Sequence, residues 1–509
     1  MGKYSCERCG KEFSQKSHYD SHNRRKTPCE NNADKIKELV DKAVEEKLKE
    51  LNNKKLIVEN EEIIENTDNT DTMEQQPSQP KKFTFKKKKK ALSDNKLKFI
   101  DLCCGIGGFH YALKNLGHEC VLASDINENC RTNYEINHKI KPLGDLTKID
   151  CQTIPNFDIL CAGFPCQPFS KAGEQKGFVD NRGNIFFDIC KIIKYHNPKY
   201  LILENVRNLA SHDSGNTWEI IKENIDKLNY YTYDNPVILN TLYFGVPQSR
   251  ERVVIMCKRK DLGELPKLPS ISKNNIKQTT LEDILEEDEN VNKKYYISGK
   301  FKETEKIWNT FLDICSVNNI IIPRYPIWTD WWDSDGNNTR ITKYNNKLSN
   351  EDNEQKIKKA QEDFYKKYKN WIDKNREFYK TNIKVLKPWL IESRTNELWL
   401  GAVRKMEWQT GIDNLNMKQT LWSPRGSGVR IKNINYSPTL VAMASMIPIY
   451  GPKSRYLTPR ECAKLQSFPE EYILDAEDKV SYSQFGNAVN VKMIERSARF
   501  LIHGESLFV

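Results

Sequence analysis

A few short stretches of this chain hold residue types that do chemistry rather than fill space. Ala162-Gly-Phe-Pro-Cys-Gln-Pro-Phe-Ser170 sets Cys166 between Pro165 and Pro168. A thiol in a loop stiffened by two prolines is a candidate nucleophile, although a lone strand-end cysteine is more often a packed hydrophobe. Leu201-Ile-Leu-Glu204-Asn-Val puts a carboxylate at the end of an apolar run. A buried acid is costly unless it is paired or used. Gln248-Ser-Arg250-Glu-Arg252 supplies two guanidinium groups. Phe99-Ile-Asp-Leu-Cys-Cys-Gly-Ile-Gly-Gly-Phe109 is a Gly-rich turn, where Gly105, Gly107 and Gly108 let a ligand lie against backbone and a helix pack close to a sheet. Asp125 closes the next apolar run about twenty residues on, a position that suits two ribose hydroxyls. Gly144-Asp145 follows a third such unit. The glycines and the two acids together describe a nucleoside-cofactor site without a phosphate loop.

A second cluster stands at the N-terminus. Cys6 and Cys9 are separated by two residues, His22 follows Cys9 after twelve, and Cys29 follows His22 after six. Tetrahedral Zn²⁺ takes four such N and S ligands, and a unit of this size has too little core to fold without it. Tyr4, Phe13 and Tyr19 stand where a small ββα finger needs its apolar residues. The set resembles a zinc finger of Cys-Cys-His-Cys type, with His18 as the alternative to Cys29. Cys103 and Cys104 also invite a metal reading, but no second pair accompanies them.

These residues need elements to position them. Lys98–Leu102, Glu119–Ser124, Phe157–Ala162, Tyr200–Glu204 and Arg252–Cys257 read as buried strands, and amphipathic helical text separates them. That alternation predicts an α/β, doubly wound sheet, with ligands at the carboxyl ends of its strands. Ile36 to Leu51 carries a helical pattern, followed by polar text and the lysine run Lys86–Lys90, a composition that buries little. Nine of the ten Trp fall between Trp308 and Trp422, and Glu354–Lys380 reads as a long helix. A smaller domain with its own core fits that shift. Trp328, Trp331 and Trp332 tempt a base-stacking role; core packing is the plainer expectation.

Composition bounds the rest. The 509 residues carry 80 Lys+Arg against 69 Asp+Glu, a formal net charge of +11, which points toward a polyanion. The longest apolar run, Leu440–Pro448, is far short of the ~18 residues of a membrane span. Without an apolar leader the chain is expected inside the cell and not secreted. Fourteen Cys are then reduced thiols, metal ligands or a nucleophile rather than a disulfide scaffold.

The Gly-rich turn, the Pro-Cys-Gln loop, the Glu-Asn-Val strand, the Gln-x-Arg-x-Arg segment and the terminal Gln-Phe-Gly-Asn487 resemble, in type and order, the motifs of C5-cytosine DNA methyltransferases. The resemblance spans about Leu97–Leu501. It implies a class I S-adenosylmethionine-dependent methyltransferase fold, Rossmann-like, with a smaller target-recognition domain. Cys166 matches the nucleophile, Glu204 the group at cytosine N3, Arg252 the arginine at O2 and Arg250 its neighbour. Gly105, Gly107, Gly108, Asp125, Asp145, Pro165 and Asn487 match the cofactor site. Asp125 stands where the family usually has Glu, and Cys103 where it often has Phe, so one aromatic contact to the cofactor is lost.

The domain organisation expected on this basis is a zinc-finger-like segment at 1–30, a helix and basic linker at 31–96, and the first catalytic part at 97–260. Target recognition follows at 261–420, and a C-terminal part completing the catalytic domain at 421–509. The expected partner is double-stranded DNA, bound by a monomer without a membrane; a cognate restriction endonuclease is a candidate companion. A tRNA methyltransferase of the same architecture would carry Cys-Phe-Thr, which is absent, and an amino-group DNA methyltransferase would carry Pro-Pro, also absent. Intact Cys166, Glu204, Arg252 and Asn487 argue against a decayed DNA-binding regulator.

Overall fold

The computed structural model describes residues 4–5, 12–13, 96–165, 185–272, 275–277, 279–333, 351–411 and 415–508, with backbone alone at 4–5, 12–13, 351–358 and 360–361. Cys6, Cys9, His18, His22, Cys29, the Ile36–Leu51 helix, the lysine run and Cys166 lie outside the described residues. The chain divides into two units, Met1–Ala91 and Leu92–Val509. In the first, β1 (Tyr4–Ser5) pairs antiparallel with β2 (Glu12–Phe13), Tyr4 opposite Phe13.

The second unit is built on two sheets. The first begins with β3 (Lys98–Leu102), followed by α1 (Gly108–Asn115), β4 (Glu119–Ser124), α2 (Glu128–His138) and β5 (Ile159–Gly163). It continues through α3 (Ile185–His196), β6 (Tyr200–Val206), α4 (Asn216–Lys227), β7 (Tyr230–Tyr231), β8 (Ile238–Asn240), β9 (Gln248–Ser249) and β10 (Glu251–Arg259). The order is β4-β3-β5-β6-β10-β7, with β8 also on β10. The first four strands run parallel, and β10 is antiparallel to its neighbours.

Strand alternation divides the core. Phe99, Ile159, Cys161, Ile202, Val254 and Met256 pack on one face with α1. Ile100, Leu160, Leu201, Leu203, Val253 and Ile255 pack on the other with α3 and α4. Both faces being covered, these strands are near-continuous apolar runs, as parallel sheets require. Helices on both faces give the doubly wound arrangement that the alternation predicts.

The second sheet draws on distant segments. After α5 (Gly299–Val317) come β11 (Ile327–Trp328), α6 (Glu351–Thr381), α7 (Ile383–Thr395), β12 (Lys405–Gln409), β13 (Leu421–Arg425) and β14 (Gly428–Lys432). Next are β15 (Ser437–Pro438), β16 (Ile449–Tyr450) and β17 (Arg455–Tyr456). The order is β11-β12-β14-β13-β16-β17, and β12 and β14 run parallel. Its core holds Trp308, Trp332, Trp389, Trp399, Trp408 and Trp422. Trp328 and Trp331 pack with Ile372 and Phe364 beside it, so the Trp cluster is core, as the plainer reading had it.

The boundary expected at 420 falls inside this sheet. Trp422, Val429, Ile431 and Ile449 belong to the second core. From Leu457 onward, α8 (Pro459–Leu465), α9 (Asp478–Asn487) and α10 (Val491–His503) return to the first. The composition shift tracks tryptophan; the physical division tracks strand pairing, which is non-local. Among the described residues no helix is long and apolar enough to cross a membrane.

Candidate active site

The carboxyl ends of β3, β4, β5 and β6 open into a cavity of 460 Å³, closed on another side by residues 484–489. Gly105, Gly108, Asp125, Asp145, Pro165, Glu204, Arg252 and Asn487 line it; Gly107 and Arg250 do not.

The three glycines do three different jobs. Gly105 has φ +53°, and a Cβ there would meet nothing within 4 Å, so its backbone faces open cavity. Its N–H donates to Asp125 Oδ2 at 2.8 Å, and Asn127 N–H donates to Oδ1 at 2.8 Å. Asp125 therefore ties the turn to the end of β4 and keeps free lone pairs for a ligand. Gly107, at φ +87°, would drive a Cβ to 2.0 Å from His138 Nε2. Gly108 would place one 2.5 Å from Val489 Cγ2 and 2.7 Å from its carbonyl oxygen. The last glycine thus allows α1 to meet the C-terminal segment.

Asp145 Oδ1 accepts from the Thr147 hydroxyl at 2.8 Å and the Thr147 N–H at 3.0 Å. Those bonds hold its carboxyl below the ordinary range. The open glycine backbone, one acid just after β4, a second capping the turn at Leu146–Lys148, and a cavity of this size fit a nucleoside-type cofactor. Ile126 and Cys130, which also line the cavity, were not singled out from the sequence.

At the other end Glu204 is 7 % exposed. Arg252 Nε stands 2.9 Å from its Oε1. Burial raises the Glu204 pKa, while the charges of Arg252 and Arg250 pull against it; burial prevails. The result is a carboxyl inclined to keep its proton beside a fixed guanidinium. Asn205 Nδ2 donates to the Phe164 carbonyl at 2.9 Å, anchoring the start of the loop that carries Pro165 and Cys166.

Arg250 departs from its expected place beside a substrate. Buried to 1 % exposure, it donates to the carbonyls of Leu440 at 3.2 Å, Gly486 at 3.1 Å and Ala488 at 2.7 Å. Arg250 lies between β9 and β10, and its guanidinium turns to the C-terminal carbonyls while its charge still reaches Arg252 and Glu204. It clamps the C-terminal segment to the catalytic strand. Gln248 assists, donating to the Leu465 carbonyl at 2.9 Å and accepting from Leu440 N–H at 3.3 Å.

Under the glycine turn lies a buried cluster that sequence reasoning passed over. His110 Nδ1 is 2.8 Å from the Tyr134 hydroxyl, and His138 Nε2 is 3.3 Å from the Ile106 carbonyl. The two rings stack at 4.0 Å. Burial pushes His110 down to about 3 and His138 to about 4, so both are neutral near pH 7. Isolated histidines 28 positions apart give no local signal. Among the described residues no group of three or more His, Cys, Asp or Glu could hold a metal, so Cys103 and Cys104 have no such company.

Residues 97–503 match the family model for C-5 cytosine-specific DNA methylases. The chain is 31 % identical over 399 residues to the Type II methyltransferase M.HhaI of Haemophilus parahaemolyticus, covering 78 % of this chain and 92 % of that one. It is 30 % identical over 409 residues to M.HpaII of Haemophilus parainfluenzae, covering 80 % and 89 %. The crystal structure of a DNMT2 variant from Spodoptera frugiperda aligns over 80 % of this chain and 99 % of its own, at 20 % identity and a TM-score of 0.43. With a family model spanning most of its length and relatives matched nearly end to end, the chain belongs to the C-5 cytosine-specific DNA methylases.

Proposed function

We propose that the protein transfers a methyl group from S-adenosylmethionine to C5 of cytosine in a specific duplex sequence, through a covalent bond to Cys166. The observation that carries this reading is the buried Glu204 carboxyl, 2.9 Å from Arg252 Nε in the wall of the same cavity as the glycine turn. Cytosine C5 is too weak a nucleophile to take a methyl unaided. Addition of the Cys166 thiolate to C6 makes C5 the nucleophilic carbon of an enamine. Negative charge moving toward N3 is met by Glu204, whose pKa burial raises, and Arg252 donates to O2. Asn205 holds the Phe164 carbonyl just after β5, and Asp125, Asp145 and Gly105 seat the cofactor. S-adenosylmethionine, when bound, supplies an electrophilic methyl. Loss of the C5 proton to water then expels the Cys166 sulfur and restores the ring. A base inside a duplex cannot reach such a cavity, so the cytosine must swing out of the stack.

The second sheet and its core are the proposed target-recognition region, in place of the 261–420 segment. At the N-terminus, Cys6, Cys9, His22 and Cys29 are proposed to hold one Zn²⁺. The β1–β2 pairing supports this, because Cys6 and Cys9 fall in the six residues joining the two strands. The expected site of action is wherever the cell keeps DNA.

The test is a duplex carrying 5-fluorocytosine, mixed with protein and S-adenosylmethionine. Fluorine cannot leave as a proton, so the protein should remain bonded to DNA after denaturation, and Cys166→Ala should abolish both the adduct and methyl transfer while still binding DNA. Tritiated methyl transfer to ordinary DNA without any trapped adduct would overturn the assignment of Cys166.

A further inference from the structure

The second sheet has two unlike faces. Register places Met406, Trp408, Trp422, Val429 and Ile431 on the side packed into the second core. The opposite side carries Lys405 and Glu407 from β12, Arg430 and Lys432 from β14, and Arg425 from β13. Four cations share one carboxylate. Glu407 accepts from Arg430 Nε at 2.7 Å, and among the described residues the terminal nitrogens of Arg430 make no hydrogen bond. Arg425 Nε is buried and without a partner among the described residues. Lys405 is placed differently, its ammonium 4.7 Å from the Trp371 ring centroid and 5.6 Å from that of Trp328.

Gathering like charges on a half-buried surface destabilises the free protein. Burial and then the neighbouring cations push the pKa of both Arg425 and Lys432 down. One carboxylate is too little compensation, and the missing charge is negative.

The location narrows the anion. Five residues after Lys432 the chain reaches Ser437, which pairs with Gln248 two residues before Arg250. From Lys432 through this strand pair to Arg252 in the cavity wall is at most about 37 Å by chain length and strand spacing, roughly one turn of B-DNA. The sheet is also fixed in orientation, since Leu421 and Tyr450 at its near end belong to the core that holds Phe485 and Val489 of the site's C-terminal wall.

We propose that this face is a phosphate clamp. Arg425, Arg430 and Lys432 take backbone phosphates of the duplex within about one turn of the extruded cytosine, and Glu407 limits their strength. Half-sunken cations on a sheet face reach the outside of a duplex rather than base edges in a groove, so the clamp holds DNA irrespective of sequence. The proposal rests on the reading of duplex DNA as substrate.

The experiment uses the full chain and plasmid DNA over a series of salt concentrations, with bisulfite sequencing of the product. Arg425→Gln, Arg430→Gln and Lys432→Gln should each raise the KM for DNA several-fold at fixed salt. Each should also lower the steepness of log KM against log salt by about 1. The effect should fall on the KM for DNA rather than on kcat or the KM for S-adenosylmethionine, and the methylated sequence should stay the same. Arg430→Lys should recover the salt slope. Glu407→Gln should move the KM for DNA the other way, downward, which a merely structural ion pair would not do. An unchanged slope in all three cation variants, a changed methylation sequence, or a weakened Glu407→Gln enzyme would overturn the clamp. Failure of the unaltered protein to methylate plasmid at any salt would instead overturn the reading of duplex DNA as substrate.

Discussion

The two sheets of this protein solve burial in opposite ways. The first is covered on both faces, and all its chemistry sits at one edge, where strands stop and loops begin. The second packs one face into a tryptophan core and gathers charge on part of the other, beside Trp328 and Leu421. A sheet buried twice can hold Glu204 and Asp125 to fractions of an ångström, because each strand is gripped from both sides. A one-sided sheet has a surface to offer a large partner but little enclosure. The difference teaches that, on the proposed reading, the small-molecule step and the grip on a polymer belong to different architectures.

The sharpest way to press on that division is Glu204→Gln. The amide keeps the shape but cannot supply a proton, so kcat should fall by about 10²–10⁴, with binding of DNA and cofactor little changed. The pH dependence has a definite sign. Burial raises the Glu204 pKa, so the proton-bearing form persists above the ordinary carboxylate range and is lost as pH rises through the folded value. Activity should therefore have an alkaline limb that the glutamine variant lacks. Folding stability linked to Glu204 runs the same way, fully present below its unfolded pKa and lost on passing the folded one. A variant with unchanged rate would detach the carboxyl from chemistry.

Next in size is Trp308→Ala. Trp308 is fully buried, and its Nε1–H donates to the Val403 carbonyl at 2.8 Å. Truncation should cost about 3–5 kcal/mol of the second core, read by thermal unfolding. Its functional effect should appear in the KM for DNA, while calorimetry finds cofactor affinity retained. Equal damage to both would show that the two sheets are one mechanical body. Gly108→Ala is the converse and the mildest. Its Cβ would press on Val489, costing about 1–3 kcal/mol and raising the KM for S-adenosylmethionine more than that for DNA.

Legibility followed the same division. The first sheet could be read from the residues because a strand buried on both faces is an unbroken apolar run with its reactive residue at the end. Lys98–Leu102 and Glu119–Ser124 fall where the text put them. The fifth strand starts two residues later than read, at Ile159, because Asp158 turns its carboxylate to Lys98 N–H and the Lys199 ammonium. The second sheet was opaque. Its strands are two to five residues long, and parallel pairing of β12 with β14 across some twenty intervening residues leaves no periodicity. Gly105, Asp125, Glu204 and Arg252, singled out by type and position, all line one cavity. That Arg250 turns to the carbonyls of Leu440, Gly486 and Ala488 had no signal in the sequence, because those contacts are made only by folding. The His110–Tyr134–His138 packing depends on contacts that only folding creates.

The clamp of Arg250 on Gly486 and Ala488, and the fit of Gly108 against Val489, tie opposite ends of the coding order. A nascent polypeptide emerges N-terminal end first, at roughly 5–20 residues per second. The cofactor cradle near Gly105 therefore leaves the ribosome well before the residues that wall it in. Until translation passes about position 490, the half-made methylase lacks one side of its pocket.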